Sequence, residues 1–164
     1  MRIGITGHRK LQSADTWRWV RREMTALLSG IEPPLTGISS LAIGADQIFA
    51  EVVLELHGSL EAVIPSENYE RTFENDVDRA RFKLLRTAAS RVETLAGAQD
   101  DEQAYLNAGK RVVDRSESMI AVWDGQPARA VGGTAEIVEF AKLAGVPVIQ
   151  LNPVTATVQT KELP

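Results

Sequence analysis

The sequence contains no cysteine and only two histidines among its 164 residues. The absence of cysteine excludes disulfide bonds, thiolate metal ligands and a cysteine nucleophile. His8 and His57 lie far apart, and no HExxH spacing occurs, so we expect no transition-metal site. We also expect no bound cofactor.

A basic surplus is also missing, because 18 Lys and Arg residues stand against 22 Asp and Glu residues, a net charge of -4. Nucleic-acid surfaces usually carry a basic excess or stripe, so this balance disfavours nucleic-acid binding. No uncharged apolar run reaches the roughly 18 residues that a membrane span needs. Since no basic-then-apolar leader precedes the first apolar run either, we expect a cytoplasmic protein without membrane association.

Short apolar runs alternate with segments whose apolar residues recur at helical spacing, the pattern of βαβ units. It predicts a Rossmann-like α/β fold with three α/β/α layers and a mainly parallel central sheet of about six or seven strands. We expect residues 1–152 to form one domain and residues 153–164 to form a C-terminal tail or an edge strand. The predicted strands are residues 2–6, 38–43, 60–64, 91–95, 118–123 and 146–151.

Two of the predicted helices matter for the later comparison. The third is expected to bury a face that carries Phe73, Val77, Ala80 and Leu84, and the fourth is expected to begin at Tyr105.

Glycines and polar residues cluster where the predicted strands end. Open parallel sheets bind ligands outside the carboxyl ends of their strands, near the point where the strand order reverses. We therefore predict a ligand site at this edge, with Glu136 as a candidate catalytic residue. The predicted binding residues are Gly7, His8, Arg9, Gly44, Ala45, Asp46, Pro65, Tyr69, Trp123, Asp124, Gly125, Gly132, Gly133 and Thr134.

Two glycine-containing segments precede predicted helices and suit phosphate binding. The two glycines of residues 132–134 let the backbone approach a ligand, and the helix that follows offers N–H groups and a positive dipole end. The alternative is a turn that only makes room for helix packing. Residues 44–46 repeat this arrangement, and Asp46 either caps its helix, orients a neighbouring loop or contacts a ribose hydroxyl.

The other predicted side chains each have a ligand-binding and a structural interpretation. Arg9 can form a bidentate pair with a phosphate, and His8 can donate to a phosphate or carry a proton. A surface turn is the alternative for both. Asp124 can accept hydrogen bonds from ribose hydroxyls. Trp123 either completes a buried strand or flanks a base, and Tyr69 and Tyr105 either stack on a base or pack in the core.

The segments ITGHR, SSLAIGAD, AVIPSENY, VVDRSESMIAVWDG and GGTAEIVEFAKLAGVPVI, in this order, resemble the SLOG superfamily over about residues 2–151. The superfamily joins DNA-processing SMF proteins, LOG phosphoribohydrolases and bacterial sensor domains for nucleotide-derived signals. The GHR, WDG and GGT segments are most similar to those of sensor-type members. For these, the resemblance implies binding of nucleotides or ADP-ribose-like signals, often in bacterial defence, and assembly as homo-oligomers.

Three functions remain open. The first is a sensor module for a nucleotide, an ADP-ribose or an NAD-derived ligand. The second is a LOG-type N-glycosidase that releases a free base from a nucleotide. Glu136 matches the first glutamate of the LOG signature PGGxGTxEE, but Ile137 replaces the second, and Glu136 can equally interact with the helix dipole. The third, an SMF-like DNA-binding module, is disfavoured by the acidic balance.

Overall fold

Strands and helices alternate along the described part of the chain. The computed structural model describes residues 1–127 and 131–161. Its strands are β1 (Arg2–Gly7), β2 (Thr36–Ser39), β3 (Ser59–Ile64), β4 (Arg91–Thr94), β5 (Ser118–Val122), β6 (Val148–Asn152) and β7 (Thr157–Lys161). Its helices are α1 (Ala14–Ser29), α2 (Ala45–Glu55), α3 (Asp76–Ala88), α4 (Asp101–Asp114) and α5 (Thr134–Leu143), with a 3₁₀ helix at Tyr69–Thr72.

The strands form one sheet in the order β4-β3-β2-β1-β5-β6-β7. Neighbours from β4 to β6 are parallel, and β7 is antiparallel to β6 at the edge. The predicted Rossmann-like α/β fold with a mainly parallel sheet is confirmed. The C-terminal segment 153–164 contributes the edge strand β7, and its last residues, 162–164, lie outside the described residues.

Helices cover both faces of this sheet. Ile120 and Val122 pack in one core cluster with α1 and α2, whereas Met119 and Ala121 pack in another with α4 and α5. Successive side chains of a strand point to opposite faces. Helices α1 and α2 therefore cover one face of the sheet, and α4 and α5 cover the other.

Helix α1 illustrates how the sequence determines local structure. The Ser13 side chain accepts a hydrogen bond from the Thr16 N–H at 3.2 Å and caps the helix. Val20, Met24 and Leu28 recur every four residues, and all three are buried against the sheet. Burial of three such side chains contributes roughly 5–8 kcal/mol before conformational entropy is subtracted.

The predicted buried face of α3 is wrong. Phe82 and Leu85 are the buried residues of this helix, whereas Val77 and Leu84 are 76% and 73% exposed. Phe82 packs on the ring of Tyr69 in the cluster that also contains β3 side chains. Contacts with the aromatic cluster, rather than the helical spacing of apolar residues used for the prediction, therefore determine which side of α3 faces the sheet.

Helix α4 begins earlier than predicted. It starts at Asp101 rather than at Tyr105 because the Asp100 carboxylate accepts a hydrogen bond from the Gln103 N–H at 2.8 Å. The additional turn brings Glu102 to the carboxyl-end edge of the sheet, where the candidate site lies.

A network of charged side chains lies at the amino ends of the parallel strands, on the side of the sheet away from the candidate site. Arg2, at the start of β1, donates through both terminal nitrogens to the Glu61 carboxylate at 3.0 and 2.9 Å. Arg115, just after α4, lies 3.7 Å from the same carboxylate and also pairs with Glu93. The Arg2 hydrogen bonds, although opposed by burial, lower the pKa of Glu61. This network joins β1, β3, β4 and α4 at the end of the sheet away from the candidate site.

Candidate functional site

A cleft of about 500 Å³ opens at the carboxyl ends of β1 and β5. From β1 the chain adds β2, β3 and β4 on one side, whereas β5 and β6 lie on the other side. The strand order reverses between β1 and β5, which is where open parallel sheets bind ligands. Of the predicted residues, those that line the cleft are Gly7, His8, Arg9, Asp46, Pro65, Tyr69, Trp123, Asp124, Gly132, Gly133 and Thr134.

The segment Gly132–Thr134 forms a tight turn that leads into α5. Gly132 has φ +74°, and a Cβ atom there would lie 2.9 Å from the backbone nitrogen of Leu106 in α4. Glycine is therefore required both by the left-handed backbone and by the close approach to α4. The turn presents the beginning of α5 to the cleft, which Gly133, Thr134 and Ala135 line.

The first amides of α5 are available to a ligand. The N–H groups of Glu136 and Ile137 bond to the Gly133 carbonyl at 3.0 and 3.3 Å. Within the described part of the chain, the N–H groups of Thr134 and Ala135 have no acceptor, and no side chain caps the helix. Free amides at a helix N-terminus, together with the helix dipole, make an anion-binding site.

Glu136 supports this turn from outside the cleft. Its Oε2 atom accepts a hydrogen bond from the Gly132 N–H at 2.8 Å, and the residue is not part of the cleft lining. The carboxylate stands in the first turn of α5, where the helix dipole also favours it. The geometry thus gives Glu136 a structural role, and it does not bring the candidate catalytic carboxylate to the cleft.

Residues 44 and 45 hold two loops together and do not line the cleft. The Ala45 N–H donates to the His8 carbonyl at 3.3 Å, so that amide is already occupied. Gly44 has φ +85°, and a Cβ atom there would lie 2.7 Å from the carbonyl oxygens of both His8 and Arg9. The beginning of α2 is packed backbone to backbone against the end of β1, in contrast to the open beginning of α5.

Asp46 organises the loop before α2 and also lines the cleft. Its Oδ2 accepts hydrogen bonds from the Ser40 N–H at 3.1 Å and the Ser39 hydroxyl at 3.3 Å. Leu41, in the same loop, has φ +58°, and β2 ends at Ser39 rather than at residue 43 as predicted. Burial raises the pKa of Asp46 to about 6, although the bonds from Ser39 and Ser40 and the charge of Arg9 oppose the shift.

His8 and Asp124 connect the ends of β1 and β5. The Asp124 backbone nitrogen lies 3.2 Å from His8 Nε2, within hydrogen-bond distance. The same Nε2 lies 3.4 Å from Asp124 Oδ1. That oxygen also accepts from the Gln126 N–H at 3.0 Å and so shapes the turn that contains Gly125, which is not part of the cleft lining.

Trp123 and Tyr69 are core residues with one surface on the cleft. Trp123 is 9% exposed, its indole N–H donates to the Gln126 carbonyl at 2.8 Å, and its own carbonyl accepts from Gln150 at 2.9 Å. Tyr69 is 3% exposed, makes edge contacts with two phenylalanine rings, and has a pKa that burial raises. Neither ring is free to stack broadly on a base.

Tyr105 and Arg9 form the accessible aromatic part of the cleft. The Arg9 guanidinium carbon lies 4.7 Å from the centre of the Tyr105 ring, a cation–π distance. The Tyr105 ring in turn makes an edge contact with Tyr69, with a centroid distance of 6.0 Å. Arg9 is exposed at the cleft and makes no ion pair or hydrogen bond through its side chain to the described residues.

Sequence reasoning missed several polar residues of the lining. Glu102 is the most informative, because it joins Asp46 and Asp124 as a third acidic residue of the lining, which also contains Arg9. The motif Asp100-x-x-Gln103 resembles a capping box and could have indicated a helix start that brings Glu102 to this edge. Other polar lining residues absent from the prediction are Thr6, Ser40 and Gln126.

Among residues 1–127 and 131–161, no group of three or more His, Asp or Glu side chains is arranged to hold a metal ion. No described helix is long and apolar enough to cross a membrane.

Comparison with known proteins identifies the fold. No family model matches the sequence, and no curated protein matches it. The structure of DNA processing protein A from Streptococcus pneumoniae is similar at a TM-score of 0.67 and 17% identity, covering 91% of this chain and 49% of that one. DNA processing protein A from Helicobacter pylori, described by its single-stranded DNA binding mode, gives 0.64 and 14%, covering 92% and 64%.

A third similar structure is the molybdenum cofactor carrier protein of Chlamydomonas reinhardtii, with a TM-score of 0.54 and 18% identity, covering 92% of this chain and 76% of that one. This chain spans about half of the Streptococcus structure and about two thirds of the Helicobacter one. The similarity shows the class of fold, a Rossmann-like α/β sheet. This is the fold that the resemblance of the sequence motifs implied.

Proposed function

We propose that this chain binds a nucleotide or nucleotide-sugar ligand in the cleft between β1 and β5 and acts as a sensor module. The observation that carries the proposal is the open beginning of α5. Thr134 and Ala135 line the cleft, and their N–H groups have no acceptor in the described residues; free amides at a helix N-terminus bind phosphate groups.

The rest of the cleft suits the remainder of such a ligand. Its volume of about 500 Å³ is typical of small-molecule sites, which range over about 300–1,000 Å³. The carboxylates of Asp124 and Glu102 can accept hydrogen bonds from sugar hydroxyls. Tyr105 and Arg9 offer flat surfaces beside them. The molybdenum cofactor carrier of similar fold is named for a small molecule that it carries.

Binding is favoured over hydrolysis of the ligand. The Glu136 carboxylate that matches the LOG signature is bonded to the Gly132 N–H at 2.8 Å and lies outside the cleft lining. DNA binding is supported only by similarity to DNA processing protein A. The net charge of -4 and three carboxylates against one guanidinium in the described lining oppose a polyanion.

Calorimetric titration with AMP, ADP-ribose and NAD tests the proposal. The decisive variant is Thr134→Asp, because a carboxylate at the beginning of α5 repels a bound phosphate while it interacts favourably with the helix dipole. We expect the Kd of the ligand that binds best to rise at least tenfold. The matched control is Val77→Asp, which adds the same charge to the first turn of α3 at a position 76% exposed, and should leave the Kd within twofold.

Chromatography of the ligand after the titration distinguishes binding from hydrolysis. We expect the nucleotide to be recovered intact. Release of free base that is lost in Glu136→Gln would instead support the N-glycosidase. Absence of binding to the whole panel at millimolar concentration, or equal affinity of Thr134→Asp and wild type, would refute the phosphate-site proposal.

A further inference from the structure

We infer that Arg9 recognises the planar group of the ligand rather than its phosphate. In this inference, which rests on the proposed function, Arg9 and Tyr105 form a stacking platform for a nucleobase. Arg9 thereby becomes a specificity-determining residue that separates nucleotides from sugar phosphates without a base.

The position of the guanidinium supports a stacking role. Its central carbon lies 4.7 Å from the centre of the Tyr105 ring. A guanidinium is planar and delocalised, and it stacks on aromatic faces as an ammonium group cannot. One side of the Arg9 guanidinium therefore contacts the tyrosine ring, and the rest of the group is left for a second planar group. The residue as a whole is exposed at the cleft.

The ring beneath Arg9 is held in place from two sides. Tyr105 belongs to α4, and its ring makes an edge contact with the buried Tyr69 at 6.0 Å between centroids. On the other side, a Cβ atom on Gly132 would lie only 3.2 Å from the Cβ atom of Tyr105. The turn before α5 therefore packs against the Cβ end of the tyrosine side chain. A platform fixed in this way loses little conformational entropy when a ligand stacks on it.

The same contacts put the platform next to the phosphate-binding amides. The Gly132 turn touches Tyr105 at its Cβ atom, and Arg9 covers the ring of the same residue. One nucleotide can thus contact the beginning of α5 through its phosphate and Arg9 through its base. The positive charge of Arg9 is also partly balanced by the buried Asp46, on whose carboxylate it acts electrostatically. This balance weakens Arg9 as a phosphate ligand and leaves its planar face as its main contribution.

The test compares two probes, AMP and ribose 5-phosphate, which differ by the presence of the base. The variant is Arg9→Lys, which keeps the charge but removes the planar group. Stacking of a base contributes roughly 1–3 kcal/mol, so we expect the Kd for AMP to rise about tenfold or more. The Kd for ribose 5-phosphate should change by less than about twofold. Tyr105→Leu should behave in the same way, and Tyr105→Phe, which keeps the ring, should bind both probes like wild type.

If Arg9→Lys lowered the affinity for AMP and for ribose 5-phosphate equally, the inference would be overturned and Arg9 would be assigned to the phosphate. Unchanged affinity for both probes would overturn the inference as well. Failure of the wild type to bind AMP, ADP-ribose and NAD as well as ribose 5-phosphate would refute the proposed function itself, a different result from equal weakening. Thermal unfolding of each variant, with a midpoint close to that of wild type, verifies that the loss of AMP affinity comes from the site and not from the fold.

Discussion

Replacing Gly132 by alanine tests whether the turn before α5 makes the anion site. The left-handed φ of +74° costs a residue with a Cβ atom about 1–2 kcal/mol. The new Cβ atom would also lie 2.9 Å from the Leu106 nitrogen and 3.3 Å from the Glu102 carbonyl oxygen. Because both are backbone atoms of α4, the turn itself must move, and such overpacking costs roughly 1–3 kcal/mol more.

Gly145→Ala is the matched control, because it separates backbone strain from the site. Gly145, just after α5, has φ +73°, and no atom lies within 4 Å of its virtual Cβ. Urea unfolding should show a loss of about 1–2 kcal/mol for Gly145→Ala and about 2–5 kcal/mol for Gly132→Ala.

Titration with AMP, if this is the ligand that binds, should show at least a tenfold loss of affinity for Gly132→Ala and none for Gly145→Ala. A Gly132→Ala protein that binds AMP like wild type would show that the amides after this turn do not hold the phosphate.

Two further predictions concern charges that the fold has buried. Because the pKa of Asp46 rises to about 6, its ionisation destabilises the folded state as pH increases from the ordinary aspartate range to about 6. The stability of Asp46→Asn relative to wild type should therefore increase by about 2 kcal/mol between pH 4 and 7.5 in urea unfolding, and a constant difference would contradict the burial argument. Glu61→Gln should destabilise by roughly 2–3 kcal/mol at pH 7, because Arg2 loses its carboxylate partner and Arg115 loses one of its two. Since the pKa of Glu61 is lowered, this difference should diminish as pH falls below the ordinary glutamate range, and a difference that persists unchanged there would contradict an ionic origin.

Most of the cleft could be predicted because its residues depend on position in a parallel sheet. Gly7, His8, Trp123 and Asp124 directly follow or end β1 and β5. Once the strands are recognised, their carboxyl ends must meet at one edge. Nothing beyond the strand pattern is needed to bring these four residues together.

Residues whose role depends on contacts from a distant segment could not be assigned from the sequence. Gly44 and Gly132 both stand before a helix and both have positive φ. One packs on the His8 and Arg9 carbonyl oxygens and the other on the backbone of α4. The residues next to each glycine in the sequence do not reveal which distant backbone atoms it packs against. For the same reason, Glu136 fits a catalytic motif in the sequence but caps a turn in the structure.

The difference in hydrogen bonding between the beginnings of α2 and α5 explains where an anion can bind. Helices α2 and α5 lie on opposite faces of the sheet. At α2, the His8 carbonyl accepts the Ala45 N–H and excludes a ligand from that amide. At α5, the Gly132 turn is held against α4, and the Thr134 and Ala135 N–H groups have no acceptor in the described part of the chain. A ligand with one anionic group therefore suits the described cleft better than one that needs two helix beginnings, and the planar face of Arg9 supplies its second point of contact.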